Sequence, residues 1–236
     1  MKIVSSSICE VGRVRMINQD AVYSFCTDAW AVFAVADGMG GHKDGERASQ
    51  EVVNTLGFWM KQKPQLEQME TKEIIRIMKG LLSESNNRIR SETKAGELCG
   101  CTVVLMVLVR QECILVTAGD SRCYELRNDL FHKTLIQLSE DDVIGGKGKQ
   151  RERLTNALGI RDTMAFRSKV IPFKGKHTYL LCSDGVYKYC DEEKISSVLK
   201  KVHWQNTEEC LRELQDYVEA GGAGDNYSAI IIRGRD

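Results

Sequence analysis

Runs of Val, Ile, Leu and Ala alternate along the chain with turn residues, and longer stretches with apolar residues three or four apart fall between them. The short runs predict strands over 21–25, 30–36, 102–109, 114–117, 122–126, 178–182 and 228–233, most of them bounded by Gly, Asp or Asn. Arg110-Gln111-Glu112 and Gly119-Asp120-Ser121 are short enough to join antiparallel neighbours, so both read as hairpin links. The longer stretches predict helices. One covers 46–61, with Ala48, Val52, Leu56 and Trp59 on one face, and a second covers 71–90, repeating Ile74, Ile75, Met78, Leu81, Leu82, Ser85 and Ile89. A third runs over 192–200 behind Asp191 as its cap, and a fourth is opened by Asn206 with Glu209 as a capping-box pair and continues through Leu211, Leu214 and Val218. Stripes of this kind are packing surfaces. The expectation is an α+β fold in which an antiparallel sheet is flanked by helices.

Composition adds boundaries to this picture. The 236 residues include only Pro64 and Pro172 as prolines, and there is no repeat or linker-like tract, so one domain over 1–236 is expected. Lys+Arg and Asp+Glu are 33 each, which gives no net charge to draw the chain onto nucleic acid or an acidic membrane. The nine cysteines form no C-x-x-C pair, and Cys101, Cys113 and Cys182 sit in apolar runs as small hydrophobes, which points to a reducing compartment. The first residues are too weakly apolar for a signal peptide, and no apolar run reaches the length of a membrane span; a cytoplasmic protein is expected. The basic, glycine-rich run at 144–151 reads either as a surface loop or as a flap whose cations meet an anionic substrate.

The candidate chemistry lies in aspartates at strand ends. Asp37, Asp120 and Asp184 each follow an apolar run and stand beside Gly or Ser, and Asp225 precedes the last strand. Acids with small neighbours can converge on a hard cation, although Asp-Gly and Asp-Asn also serve as plain turn residues. Other chemistries fit poorly. A G-x-G-x-x-G motif begun at Gly38 requires glycine where Lys43 stands, and no phosphate-cradling G-x-x-x-x-G-K-[ST] occurs. The four histidines show no ligand pairing, no serine sits in a G-x-S-x-G elbow, and Cys99-x-Cys101 alone cannot close a zinc site.

The segments GRVRMINQD (12–20), VADGMGGH (35–42), GCT (100–102), AGDSRCY (118–124), RLTNALG (153–159), LLCSDG (180–185) and GDNYSAI (224–230) follow one another in order across the chain. This ordered set resembles the PP2C (PPM) family of metal-dependent protein serine/threonine phosphatases, in its compact bacterial form. The resemblance implies a four-layer α-β-β-α sandwich and a binuclear Mn or Mg centre. In it Asp37 bridges the ions, Gly38 offers a carbonyl to one, and Asp184 and Asp225 complete the shell of the other. It further implies that Asp20 reaches an ion mainly through water and that Asp120 shares a third, weaker ion with Asp184. The family's phosphate-binding arginine falls on Arg15, with Arg13 as the neighbouring candidate.

The implied reaction is attack on a phosphoserine or phosphothreonine monoester by a water or hydroxide bridging the two ions. Phosphorylated proteins are then the partners, with a Ser/Thr kinase opposing the enzyme, and a monomer suffices. Two departures stand out. Gln19 replaces an acid that usually precedes the aspartate, and Met39 stands where eukaryotic members carry a histidine, with His42 three residues on. The segment 138–154 is also short for the family's flap. A non-catalytic relative that docks phosphoproteins is the competing reading, and retention of acids at all the principal metal positions argues against it. A two-metal nuclease is disfavoured by the absence of a basic, aromatic surface pattern.

Overall fold

Strands that are apolar on both faces decide the architecture. The computed structural model describes residues 2–41, 44–94, 96–128, 132–145 and 153–235. Through them run β1 (Ile3–Glu10), β2 (Asp20–Cys26), β3 (Trp30–Gly40), α1 (Asp44–Met60), α2 (Thr71–Glu92), β4 (Cys99–Cys101), β5 (Val103–Val109) and β6 (Glu112–Ala118). There follow β7 (Arg122–Asn128), β8 (Lys133–Gln137), β9 (Val143–Ile144), β10 (Arg153–Leu154), β11 (Arg167–Pro172), β12 (Thr178–Cys182), α3 (Asp184–Tyr187), α4 (Glu192–Leu199), α5 (Thr207–Ala220) and β13 (Tyr227–Gly234). One sheet has the order β1-β13-β12-β7-β8 and the other β11-β6-β5-β3-β2, with β4 pairing the far end of β3. Every pairing is antiparallel.

Strand alternation sorts the core into three slabs. In β3, Trp30, Val32, Ala34 and Ala36 pack under Ala48, Val52 and Leu56 of α1 and Ile74, Met78 and Leu82 of α2. The intervening Ala31, Phe33 and Val35 point the other way, into a slab shared with Tyr179, Leu181, Ile230 and Ile232 of the opposite sheet. That sheet's outer face, with Leu180, Cys182, Ala229 and Ile231, packs against Ile195, Val198, Leu211 and Leu214 of α4 and α5. The result is the α-β-β-α sandwich. Each fully buried Leu or Val contributes about 1.5–3 kcal/mol, and both sheets are held from both sides.

Three details depart from the sequence expectation. Gly119-Asp120-Ser121 does not close a hairpin, because β6 and β7 lie in different sheets. Gly119, at φ +104°, turns the chain across the seam, so Asp120 sits between the sheets. Asn206 precedes α5 without capping it through its side chain. Its amide accepts from the His203 N–H (2.7 Å) and donates to the Lys201 carbonyl (3.0 Å), which uses it to close the turn after α4. The outer strands β1, β8 and β11 escape the hydrophobic pattern, since they are mostly half-buried or exposed. Asp191 does cap α4, accepting from the Lys194 N–H at 2.9 Å. His42 and residues 146–151 of the basic run lie outside the described residues. Among the described residues no helix is long and apolar enough to cross a membrane.

Candidate active site

Two neighbouring strands bring the first pair of acids together. Asp20 opens β2 directly opposite Asp37 in β3, and opposed residues of an antiparallel pair share a face. Past Asp37 the chain leaves β5 for β4, and Gly38 is where α1 and the 12–20 loop converge. A Cβ there would lie 2.1 Å from the Gly45 carbonyl oxygen and 2.4 Å from that of Gln19. Only glycine fits. Gln19 itself packs its amide against Gly45 at the start of α1. Thr102 fixes the Asp37 backbone, donating its N–H to the Asp37 carbonyl (2.8 Å) and accepting the Asp37 N–H on Oγ1 (3.3 Å). The same hydroxyl shares a 2.6 Å hydrogen bond with Ser121 Oγ, which ties Asp37 to the turn that carries Asp120.

The second sheet supplies the other acids. Ser183, between β12 and α3, donates Oγ–H to Asp20 Oδ2 (2.7 Å) and accepts the Ser228 N–H (2.9 Å), linking the two sheets beneath the site. The next residue, Asp184, opens α3. Asp225 is held by Asn226, a buried hub that accepts the Gln19 N–H (2.9 Å) and donates to the carbonyls of Val11 (2.9 Å) and Ile17 (3.0 Å). The loop carrying Arg15 is thereby pinned beside Asp225. Arg15 grips that carboxylate with two donors, Nε to Oδ1 at 2.8 Å and Nη2 to Oδ2 at 2.9 Å. Arg13 turns away to pair with Glu219 of α5. Of the two candidate arginines, Arg15 faces the acids.

Mutual repulsion marks the five aspartates as one electrostatic unit. Burial, and then the charges of Asp20, Asp184, Asp120 and Asp225, hold the Asp37 carboxyl well above the usual carboxylate range. Asp20 is pushed up to about 7, first by burial and then by Asp184 and Asp225, against the hydrogen bond from Ser183. Asp120 rises to about 6 through burial and Asp184, partly offset by Lys188. Asp37 keeps some exposure while being densely surrounded, the situation of a cleft floor.

Two cations answer these acids. Lys188 pairs with Asp184 one helical turn away, and Arg15 with Asp225. Among the described residues no three acid, imidazole or thiol groups close tightly enough to enclose an ion as they stand. The donor set nevertheless fits hard divalent cations: it is all oxygen, its acids raise one another's proton affinity, and two of them lean on protein cations that an ion can displace.

All six metal candidates, Asp20, Asp37, Gly38, Asp120, Asp184 and Asp225, lie on strand or turn ends at one edge of the sandwich, with Arg15 beside them. The sequence reading missed their supports. Asn226, Ser183 and Thr102 stood inside the quoted motifs, adjacent to the acids, and that adjacency was the available signal. For Lys188 the available signal was its i,i+4 spacing from Asp184. Asp142 gave no local signal, yet it accepts the Gly119 N–H (3.1 Å), Asn156 Nδ2 (2.8 Å) and Arg167 Nε (2.8 Å), and so braces the Asp120 turn against the 138–154 segment. Beside that turn, Arg122 pairs with Asp141 and covers the Tyr187 ring, and the Tyr187 hydroxyl donates to the Asp120 carbonyl at 3.1 Å.

The family model for Protein phosphatase 2C matches residues 13–219. The serine/threonine phosphatase stp of Listeria innocua is 29% identical over 252 residues, covering 95% of this chain and 96% of that protein. The catalytic domain of the serine/threonine protein phosphatase PstP, solved in complex with two manganese ions, superposes with a TM-score of 0.79 at 25% identity, covering 100% of this chain and 99% of that one. A serine/threonine phosphatase from S. agalactiae shares the fold with a TM-score of 0.85 at 21% identity, over 99% of this chain and 100% of the other.

Proposed function

This chain belongs to the protein phosphatase 2C family, and we propose from that premise that it hydrolyses phosphoserine and phosphothreonine monoesters at a binuclear Mn or Mg centre in one catalytic domain. The observation that carries the reading is the convergence of five repelling aspartates on one edge, with Arg15 at its rim. Manganese in the related PstP structure supports the choice of ion. When bound, two such cations neutralise the phosphate dianion and lower the pKa of a water between them.

The chain's own residues do the rest. Asp37, Gly38, Asp184 and Asp225 would hold the pair of ions, Asp20, itself held by Ser183, would reach one of them mainly through water, and Asp120 with Asp184 would hold a third. Arg15 exchanges Asp225 for two oxygens of the incoming phosphate. Its planar fork suits either partner, and the exchange fixes the ester for in-line attack. Asn226 keeps that arginine in reach by anchoring the loop on both sides. Phosphoproteins are the substrates, a Ser/Thr kinase is the opposing activity, and the enzyme works as a monomer in the cytoplasm. The nine free thiols suit that compartment.

The test is hydrolysis of p-nitrophenyl phosphate and a phosphothreonine peptide with added Mn. We expect turnover that Asp37→Ala and Asp184→Ala abolish. Turnover unchanged in both variants, or none at any Mn concentration, sinks the proposal.

A further inference from the structure

Charge of the opposite sign gathers at the other end of the sandwich. A cavity of ≈ 640 Å³ opens there, walled by Lys2 ahead of β1, Arg110 in the β5–β6 turn, Lys174 and Lys176 in the β11–β12 turn and Arg235 beyond β13. Against these five cations the described residues of the lining hold one carboxylate, Glu67. Arg110 is committed to the fold, since its guanidinium donates to the carbonyls of Glu67 (3.2 Å) and Met69 (2.7 Å) and pairs with Glu112. Arg235 lies over the Trp204 ring at 5.6 Å. Among the described residues Lys2, Lys174, Lys176 and Arg235 have no acidic partner. Four like charges around one cavity repel one another until an anion arrives.

Two further features narrow the anion. A second hollow of ≈ 440 Å³ shares Ala29 and Glu67 with the first and is lined by Phe25 and Trp30, whose rings stack at 5.4 Å, together with Pro64 and the oppositely charged Asp28 and Lys63. At the shared wall, Glu67 Oε2 is buried with no hydrogen-bond partner. A buried acceptor without a donor is costly, and a ligand that supplies one removes the cost. The combination calls for several phosphate charges joined to a flat, mostly apolar body that carries a hydroxyl or amino donor. Cavities of this size hold ligands of that class.

We propose that this end of the molecule binds a nucleoside di- or triphosphate. The phosphates lie among Lys2, Lys174, Lys176 and Arg235, the Glu67 carboxylate turns toward the cavity so that Oε2 accepts from a sugar hydroxyl or base amino group, and the base enters the hollow beside Phe25 and Trp30. Strand β3 separates this end from the acids. Its seven steps from Trp30 to Asp37 span roughly 23 Å, so the two sites act on separate ligands. The proposal therefore stands apart from the phosphatase reading.

The test uses the full chain in EDTA, so that no cation at the acid end recruits the probe, with tryptophan fluorescence and thermal unfolding read against ATP. We expect saturable quenching and a higher melting temperature. The double variant Lys174→Ala/Lys176→Ala should bind at least about tenfold more weakly with unchanged peptide turnover in the absence of ATP, and Asp37→Ala should bind ATP as the parent does. Inorganic tripolyphosphate should bind more weakly than ATP. Equal affinity for tripolyphosphate, stronger competition by an acidic phosphopeptide, undiminished binding in the lysine variant, or no saturable response to ATP would each overturn the proposal.

Discussion

The two ends of the sandwich carry opposite charge and are built in opposite ways. The acid end is assembled inside the fold: Asp20 and Asp37 face each other across a strand pair, and Ser183, Thr102 and Asn226 hold the surroundings with buried hydrogen bonds. At the basic end the charges ride on turns and chain ends, with Lys2, Lys174 and Arg235 exposed. Burial is the difference that matters. Carboxylates surrounded by protein raise one another's proton affinity and store an electrostatic cost that a cation relieves, whereas solvated lysines feel a screened repulsion and cost the fold little. Removing an acid should therefore cost activity steeply, because it takes away a cation ligand, and removing a lysine at the other end should be mild.

The largest effect is expected from the bridging position. Asp37→Ala and Asp184→Ala should each lower kcat/KM for a phosphothreonine peptide on the order of 10³-fold or more, measured with Mn in excess. Arg15→Ala should cost about 10²-fold. Arg13→Ala, whose guanidinium pairs with Glu219 on the outside, should change the rate by only about twofold. Equal losses in the two arginine variants would contradict the placement of Arg15 at the rim. A smaller effect, on stability, is expected from Asn226→Ala. It leaves the Gln19 N–H and the Val11 and Ile17 carbonyls without their partner and should cost about 2–3 kcal/mol in a denaturant melt.

The pH dependence of stability separates the ends further. Asp20 and Asp120, raised from 3.8 to about 7 and about 6, bind protons more tightly in the folded chain than in the unfolded one. Their contribution is full below the unfolded value and is lost as pH rises through the folded values. The metal-free protein should thus lose stability as pH rises from 3.8 through about 7, and Mn should restore it at the upper end. Melting temperatures with and without Mn across that range check this; a metal-free protein that gains stability over the same window would count against the cluster.

How legible this was in the sequence depended on burial. Strands with two covered faces, such as β3 and β5, announce themselves as continuous apolar runs. The outer strands β1 and β11 bury too little of either face to show a pattern and were visible only through their partners β13 and β6. The acids were legible because their neighbours are small. Their supports were less so, because a serine or asparagine reads the same whether it caps a turn or bridges two sheets. The 119–121 link looked like a hairpin for a related reason: length sets which strands can be joined, while the side-chain packing on either side sets which sheet each joins. That crossing places Asp120 near Asp184, a relation that local spacing did not contain.

The most direct measurement is the rate of phosphothreonine-peptide hydrolysis as Mn is titrated into chelator-stripped protein. The account predicts negligible turnover at the start and a rise that tracks occupancy of a binuclear site, with no such rise in Asp37→Ala. Full turnover in the stripped protein, or an identical titration in the variant, would contradict it.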